Sequence, residues 1–441
     1  MPMTLRKTGA SRIFFGLSSF QALAMFRRGI FYTFLAIYLR SYLGLSVTET
    51  TLFETIPMIL NVLFQTFVWG NLTDRLQRRK SLIILGELCA GVGHIVLWYA
   101  HIKAPDHRTS GYVIIAGLSV IEIFWSMSNI GWSAYISDVY SVAERNAIQG
   151  KFASIGGVGR IIGAMLGGLL YDGMSRMYPG WGFKEGGIFF VSAFVMMVSV
   201  IPLLYLPEGG IAYHANAQGG LGDSTPSSEA SRASLRIFAV FLVSMLLINS
   251  GSNTLGAFRG QYLDLKEGFA AAPSIISLVV NIESGALIIT GLFLGALGRR
   301  LGLQRLLVLG TGSGIVSLLT HMLAPSMGII YLAAVFKGIS DACVASSSYA
   351  FASTLIPPEK RGRYFAYYNA TFFLSWGLAA TLFTGPLIDA LMLTGTGPVM
   401  AYKAGLASGA GLMVLGLALL LALLVSRKTR RFHSFHGRIR K

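Results

Sequence analysis

The sequence predicts an all-α membrane protein, with twelve transmembrane helices arranged as two pseudo-symmetric six-helix bundles. Three observations predict it. The 441 residues are 54% hydrophobic and only 12% charged, against about 25% charged in a soluble domain. A surface facing water cannot lose that many charges, and a surface facing lipid can. Apolar runs of about 20 residues, long enough to cross roughly 30 Å of hydrocarbon as a helix, recur from end to end, as in the span that contains Gly411 to Val425. Finally, the loops of the first half are echoed in the second.

The runs give spans at about 13–39, 48–70, 81–102, 111–134, 148–171, 187–206, 236–262, 272–297, 303–324, 327–352, 364–390 and 400–425. The first is not a cleavable signal: it carries Arg27 and Arg28 and lacks an A-x-A site before a soluble domain. Between spans six and seven the chain is rich in Gly, Ser and Ala, as in Gln218-Gly-Gly-Leu-Gly-Asp-Ser-Thr-Pro-Ser-Ser228. That composition makes a flexible linker with no core of its own. The expected division is an N-terminal bundle over 1–207, a linker over 208–235, a C-terminal bundle over 236–426 and a basic tail over 427–441.

The net charge of +17 invites a nucleic-acid reading. Its placement argues against one, because the cations sit at alternating span ends and not on one face. With the N-terminus inside, inner segments hold about 24 Lys and Arg and outer segments about seven, a bias that puts both termini and the linker in the cytoplasm. The tail from Arg427 to Lys441 reads as a stop-transfer anchor against anionic headgroups; a partner-binding segment is the other reading. Cys89 and Cys343 lie inside apolar runs and form no disulfide framework. There is no H-E-x-x-H, phosphate-binding glycine loop or G-x-S-x-G, so no catalytic residue, metal ligand or cofactor is expected.

The repeat lies in the loops. Gly70-Asn-Leu-Thr-Asp-Arg-Leu-Gln-Arg-Arg-Lys80 after span two corresponds to Gly295-Ala-Leu-Gly-Arg-Arg-Leu-Gly-Leu-Gln-Arg305 after span eight. Ser137-Asp-Val-Tyr-Ser-Val-Ala-Glu-Arg145 after span four corresponds to Ser353-Thr-Leu-Ile-Pro-Pro-Glu-Lys-Arg-Gly-Arg363 after span ten. Duplication of this kind marks a transporter built from two bundles around a midplane site. The first loop, through Gly70, Leu72, Asp74, Arg75, Arg78 and Arg79, resembles the G-x-L-x-D-R-x-G-R-R/K loop of the major facilitator superfamily, with Gln77 at the second glycine. The Pro357 to Arg363 segment resembles that family's loop between spans ten and eleven. The resemblance covers the whole twelve-span plan. It implies alternating access, with Gly70, Asp74, Arg75 and Arg78 as gating residues that latch the halves in the outward-facing state.

Two departures count against drug/proton antiport. Ala164 stands where the family's glycine-rich span-five motif has Pro, and span four carries Glu122 in place of the exporters' Arg. The glycines Gly159, Gly163 and Gly167 have small-xxx-small spacing, which lets helix backbones approach closely.

Ionisable residues at bilayer depth cost at least ~2.5–3.5 kcal/mol each, so they face a cavity or a partner. Arg27 and Arg28 lie about 20 Å along span one. Tyr32 shares a face with Arg28, which makes this pair the preferred solute ligands. Glu122 and Arg160 could pair with each other, or Glu122 could titrate. Glu283, beside Asn281 and Ser284, has no cation near it in sequence and is the first choice for a proton-coupling carboxylate. Lys337 and Asp341 are spaced i, i+4, either as a self-neutralising pair or as exchange partners for solute and Glu283. Asn369 is a further polar ligand candidate, and Trp376 an aromatic one. Glu54 and Arg259 read as rim residues, and Glu87, His94 and His321 as packing groups on peripheral spans.

These residues predict a monomeric secondary transporter in a lipid bilayer, of a bacterial inner membrane given the short loops. It would move a small anionic or zwitterionic organic solute, with H+ as the coupling ion. Arg28, Tyr32, Arg160, Asn281, Lys337 and Asn369 would hold the solute, and Glu283, Glu122 and Asp341 would carry protons. An efflux carrier for hydrophobic drugs or lipid-like compounds, and a non-transporting receptor, are the alternatives.

Overall fold

A computed structural model describes residues 3–140, 142–209, 228–353, 355 and 361–439, with side chains for all of these except 3–10, 74, 133, 137, 142–147, 149–150, 228–235, 299, 353, 361–366 and 427–439. Most of the linker, the Pro357 loop, the basic tail's side chains and the side chain of Asp74 therefore lie outside the described residues.

Among the described residues, twelve helices are long and apolar enough to cross a membrane. They are α1 (Ser11–Tyr42), α2 (Val47–Thr73), α3 (Arg79–Ile102), α4 (His107–Ile136), α5 (Lys151–Tyr171), α6 (Gly187–Leu204), α7 (Arg236–Asp264), α8 (Pro273–Gly298), α9 (Leu303–Leu323), α10 (Met327–Ala352), α11 (Tyr367–Leu393) and α12 (Pro398–Ser426). Each begins and ends within about four residues of the limits read from the apolar runs. Because the number of spans is even, both chain ends fall at one end of the bundle, called here the terminal end. The opposite, distal end carries the short turns at 43–46, 103–106, 265–272 and 394–397.

Local chemistry sets the helix ends. Ser46 Oγ accepts the Glu49 N–H at 3.1 Å and Glu49 returns a bond to the Ser46 N–H at 2.7 Å, a capping box that starts α2. Asp106 accepts from the Thr109 N–H at 2.9 Å and starts α4; these bonds hold its carboxyl below the usual carboxylate range. The turn after α2 closes although Gln77 replaces glycine. Gln77 itself takes the left-handed conformation, φ +54°, and the helix stops there. Three spans depart from regular α geometry: α1 and α2 carry π-helical turns at Tyr38–Tyr42 and Gln65–Trp69, and α11 departs at two places. A π-helical turn covers Ala380–Thr384 in α11, and α11 is also interrupted by a turn at Trp376 and Gly377, near mid-depth.

Within the N-terminal half α1 packs most extensively on α5, and α3 on α4; within the C-terminal half α9 packs on α10 and α7 on α12. The α1–α5 seam uses the expected glycines. A Cβ on Gly159 or Gly163 would collide with the carbonyls of Ala22 and Phe26, and one on Gly167 would come within 2.8 Å of the Ile30 carbonyl. Glycine at every fourth position on one helix thus meets the backbone at every fourth position on the other. The halves meet chiefly where α5 lies against α8 and α2 against α11.

Candidate functional site

Several of the chargeable side chains named from sequence, Arg27, Arg28, Arg160, Arg259 and Glu283 among them, lie at mid-depth. Arg27 is buried, with 2% of its surface exposed, and Arg28 is half-buried. Neither forms an ion pair with a carboxylate among the described residues. Their guanidinium groups lie instead against aromatic rings: both are 4.9 Å from the Trp125 centroid, and Arg28 is also 4.7 Å from that of Trp376. Trp125 belongs to α4 and Trp376 to the interruption in α11, so Arg28 is held by one indole from each half. Such contacts are attractive because the ring face is electron-rich, worth about 2 kcal/mol when desolvated. Tyr32, one turn beyond Arg28, stacks on Phe53 of α2 at 6.4 Å.

Of the two readings left open for Glu122, the pairing with Arg160 does not form. Arg160 reaches across to α8 and binds Glu283 at 3.2 Å, and Glu283 also receives Arg259 of α7. Glu283 therefore does have cations beside it, one from each half. Arg259 is no rim residue: it is 6% exposed and its side chain runs inward to that carboxylate. The pairing follows from how α5 docks on α8, which no local spacing encodes. Glu122 instead accepts the Asn61 side-chain N–H at 2.6 Å. Lys337 and Asp341 close their i, i+4 pair at 2.5 and 2.6 Å, with the Asp341 side chain 27% exposed.

The remaining candidates differ in value. Asn281 is half-buried, and its Oδ1 is buried without a hydrogen-bond partner. Asn369 is exposed and sits about 10 Å along α11 from Trp376 toward the terminal end. Glu54 makes no hydrogen bond or ion pair among the described residues. Glu87 accepts from Ser128 at 2.7 Å, and His94 and His321 bond carbonyls of their own helices at 2.8 and 2.9 Å, as packing groups do.

In the terminal loop, Arg75 and Arg78 are exposed and unpaired among the described residues. The buried cation is Arg79, which binds Asp138 at 3.2 Å, Gln77 Oε1 at 3.3 Å and the Thr73 carbonyl. Gly70 begins the helical segment Gly70–Leu76, which overlaps the end of α2, and a Cβ there would lie 2.9 Å from the Gln65 carbonyl.

Sequence reasoning missed three features. Trp125 lies three residues after Glu122 and so shares its helix face, a signal that was available. Asp389 accepts the Val47 and Thr48 N–H groups at 3.0 and 2.8 Å, capping α2 from the other half. Thr381, in the π-helical turn, bonds Thr51 and Thr55 at 2.7 and 2.6 Å. With Ser41 on Asp264 at 2.7 Å and Ser277 on the Ala164 carbonyl at 2.8 Å, these bonds join the halves. Between described residues, every hydrogen bond that crosses the halves lies at the distal end or mid-depth.

Two pseudo-symmetric six-helix halves with buried charges facing each other at mid-depth define a membrane transporter. The family model of the Major Facilitator Superfamily matches residues 17–380 and 262–439, and the chain belongs to that family. It is 22% identical over 387 residues to the uncharacterized MFS-type transporter YhjO of Bacillus subtilis, covering 84% of each chain. It is 24% identical over 249 residues to Multidrug resistance protein 2 of the same organism, covering 54% of this chain and 56% of that one. Similar solved structures include the nucleoside transporter NupG, with TM-score 0.66, 13% identity and 93% and 98% of the two chains covered. Tetrameric PepTSo2 gives TM-score 0.69 at 12% identity, covering 96% and 99%. These structural likenesses establish the fold.

Proposed function

We propose that this transporter moves a small organic anion, or a zwitterion bound through its anionic group, by alternating access of the two halves. One observation carries the reading: Arg27 and Arg28 lie side by side at mid-depth with no ion-pairing carboxylate among the described residues. The other cations of the belt are already balanced, Arg160 and Arg259 by Glu283 and Lys337 by Asp341. Glu122 and Glu87 act on these guanidinium groups only from a distance; a guanidinium buried without a direct ion-pair partner is costly, and a solute carboxylate supplies one through two parallel hydrogen bonds. Arg28 and Tyr32 are the primary ligands. Asn281 and Lys337 lie at the same depth in the other half, Asn369 is a contact on the entry route, and Arg160 becomes available when Glu283 releases it.

Proton coupling is assigned to Glu122, Glu283 and Asp341. Among the described residues, Glu122 is the one of the three with no direct ion pair, so its charge is the easiest to change without breaking another contact. The positive residues of the terminal end make it the cytoplasmic side. The Gly70 to Lys80 loop gates that side, and the distal bonds gate the opposite one. On that assignment the present conformation is closed outward, in a monomer of a bacterial inner membrane.

The test is uptake by purified protein in proteoliposomes. Arg28→Ala should abolish uptake of organic anions. Glu122→Gln should lose pH-gradient-driven uptake and retain exchange. Driven uptake that survives Glu122→Gln, Glu283→Gln and Asp341→Asn separately would sink the coupling assignment. Efflux of hydrophobic drugs is the second reading, favoured by the likeness to Multidrug resistance protein 2 over 54% of the chain. It predicts transport of lipophilic cations that Arg28→Ala leaves intact.

A further inference from the structure

We infer that the anion carries an aromatic or similarly flat π system next to its carboxylate; this rests on the organic-anion reading above. The argument begins with what holds Arg28. Its guanidinium is a planar, delocalised cation, and its two neighbours are indoles at 4.9 and 4.7 Å, from opposite halves of the protein. The Nε of Arg28 is buried without a hydrogen-bond partner. The side chain is thus held by ring faces, with hydrogen-bonding capacity to spare.

The surroundings extend the aromatic surface. Phe372 is 6.0 Å from Trp376 and 43% exposed, and Phe373 lies 5.7 Å from Phe372. On the other side Tyr32 stacks on Phe53. A carboxylate arriving here pairs with the free N–H groups of Arg28, and a ring attached to it lies against Trp376 and Phe372. The same solute then satisfies the unpaired cation and loosens a mid-depth contact in which a single side chain touches aromatic rings of both halves. An aliphatic anion does the first without the second. A lipophilic cation does neither, since Arg28 repels it.

The experiment compares two carboxylates of nearly equal size, 3-phenylpropionate and 3-cyclohexylpropionate, with tetraphenylphosphonium as the cationic control. Binding to the purified full-length protein is measured by calorimetry. The expected result is that the phenyl acid binds about 5- to 30-fold more tightly than the cyclohexyl acid, the range that ring-face contacts supply. In Trp376→Leu the two acids should bind equally. If that variant does not fold, Phe372→Leu removes the other ring that the solute lies against and should narrow the ratio, and the wild-type ratio stands without either. Equal binding of the two acids to the wild type overturns the aromatic inference and leaves the anion reading intact. Binding of tetraphenylphosphonium with neither acid bound overturns both.

Discussion

The two ends of the bundle are held together by different kinds of bond. At the distal end, beside bonds within one half such as Arg108 and Tyr112 on Glu49, polar contacts also cross between the halves: Asp389 to the first turn of α2, Thr381 to Thr51 and Thr55, Ser41 to Asp264. At the terminal end, between described residues, they stay within one half. Arg79 binds Asp138 and the turn before it, Lys80 donates to the Leu206 carbonyl at 3.0 Å, Ser81 Oγ donates to Glu208 at 3.1 Å, and Tyr135 donates to the Pro207 carbonyl at 3.0 Å. One end is a clasp and the other a brace. A transporter must open the first without loosening the second, so mutations at the two ends should differ in kind.

The largest effect is expected at the brace. Arg79→Ala leaves Asp138 without its guanidinium and should cost about 3–5 kcal/mol, as breaking a buried pair does. Thermal unfolding of the purified protein should show a large drop, with the distal clasp unaltered in cysteine-accessibility measurements. A variant with wild-type stability would show that the brace is ornamental. Asp389→Ala comes next. It removes a cap worth about 0.5–2 kcal/mol, which acts on the balance between states more than on unfolding. Labelling of a cysteine placed at Thr381 from the distal side should rise by roughly 2- to 30-fold; unchanged labelling would break the distinction between the ends. Thr381→Val, read through a cysteine at Ile37, which is buried against Gly260 of the other half, should act in the same direction with about 0.5–1.5 kcal/mol per hydrogen bond lost. The smallest effect belongs to Gln77→Gly. Relief of a left-handed residue is worth roughly 1 kcal/mol, offset by the lost bond to Arg79, so stability should rise slightly and labelling at the clasp should not move.

The spans were legible because membrane thickness imposes a length on every apolar run, and no partner helix alters that. The α1–α5 seam was legible for a related reason: four-residue spacing of glycine is a property of one helix. The charges at depth were legible as a set, since each is costly wherever it points. Their pairing was not. Arg160 and Glu283 are 123 residues apart, and whether Arg160 meets Glu122 or Glu283 depends on the docking of two halves. The choice between Arg78 and Arg79 turns on helix phase after an unusual left-handed Gln77. Asp389 escaped notice because it sits at a rim, where a carboxylate needs no explanation until a helix start is found against it.

The glycine seam has a mechanical consequence. The backbone of Gly29 lies directly on the carbonyl of Arg160, where no Cβ could fit. Arg28 and Arg160 are therefore mounted on two rails bolted together at that level. One cation grips indoles and the other grips a carboxylate, yet neither can shift its root without dragging its neighbour. On the proposed reading, a solute that pulled on Arg28 would be felt at Glu283 through the main chain, by way of the Gly29–Arg160 contact.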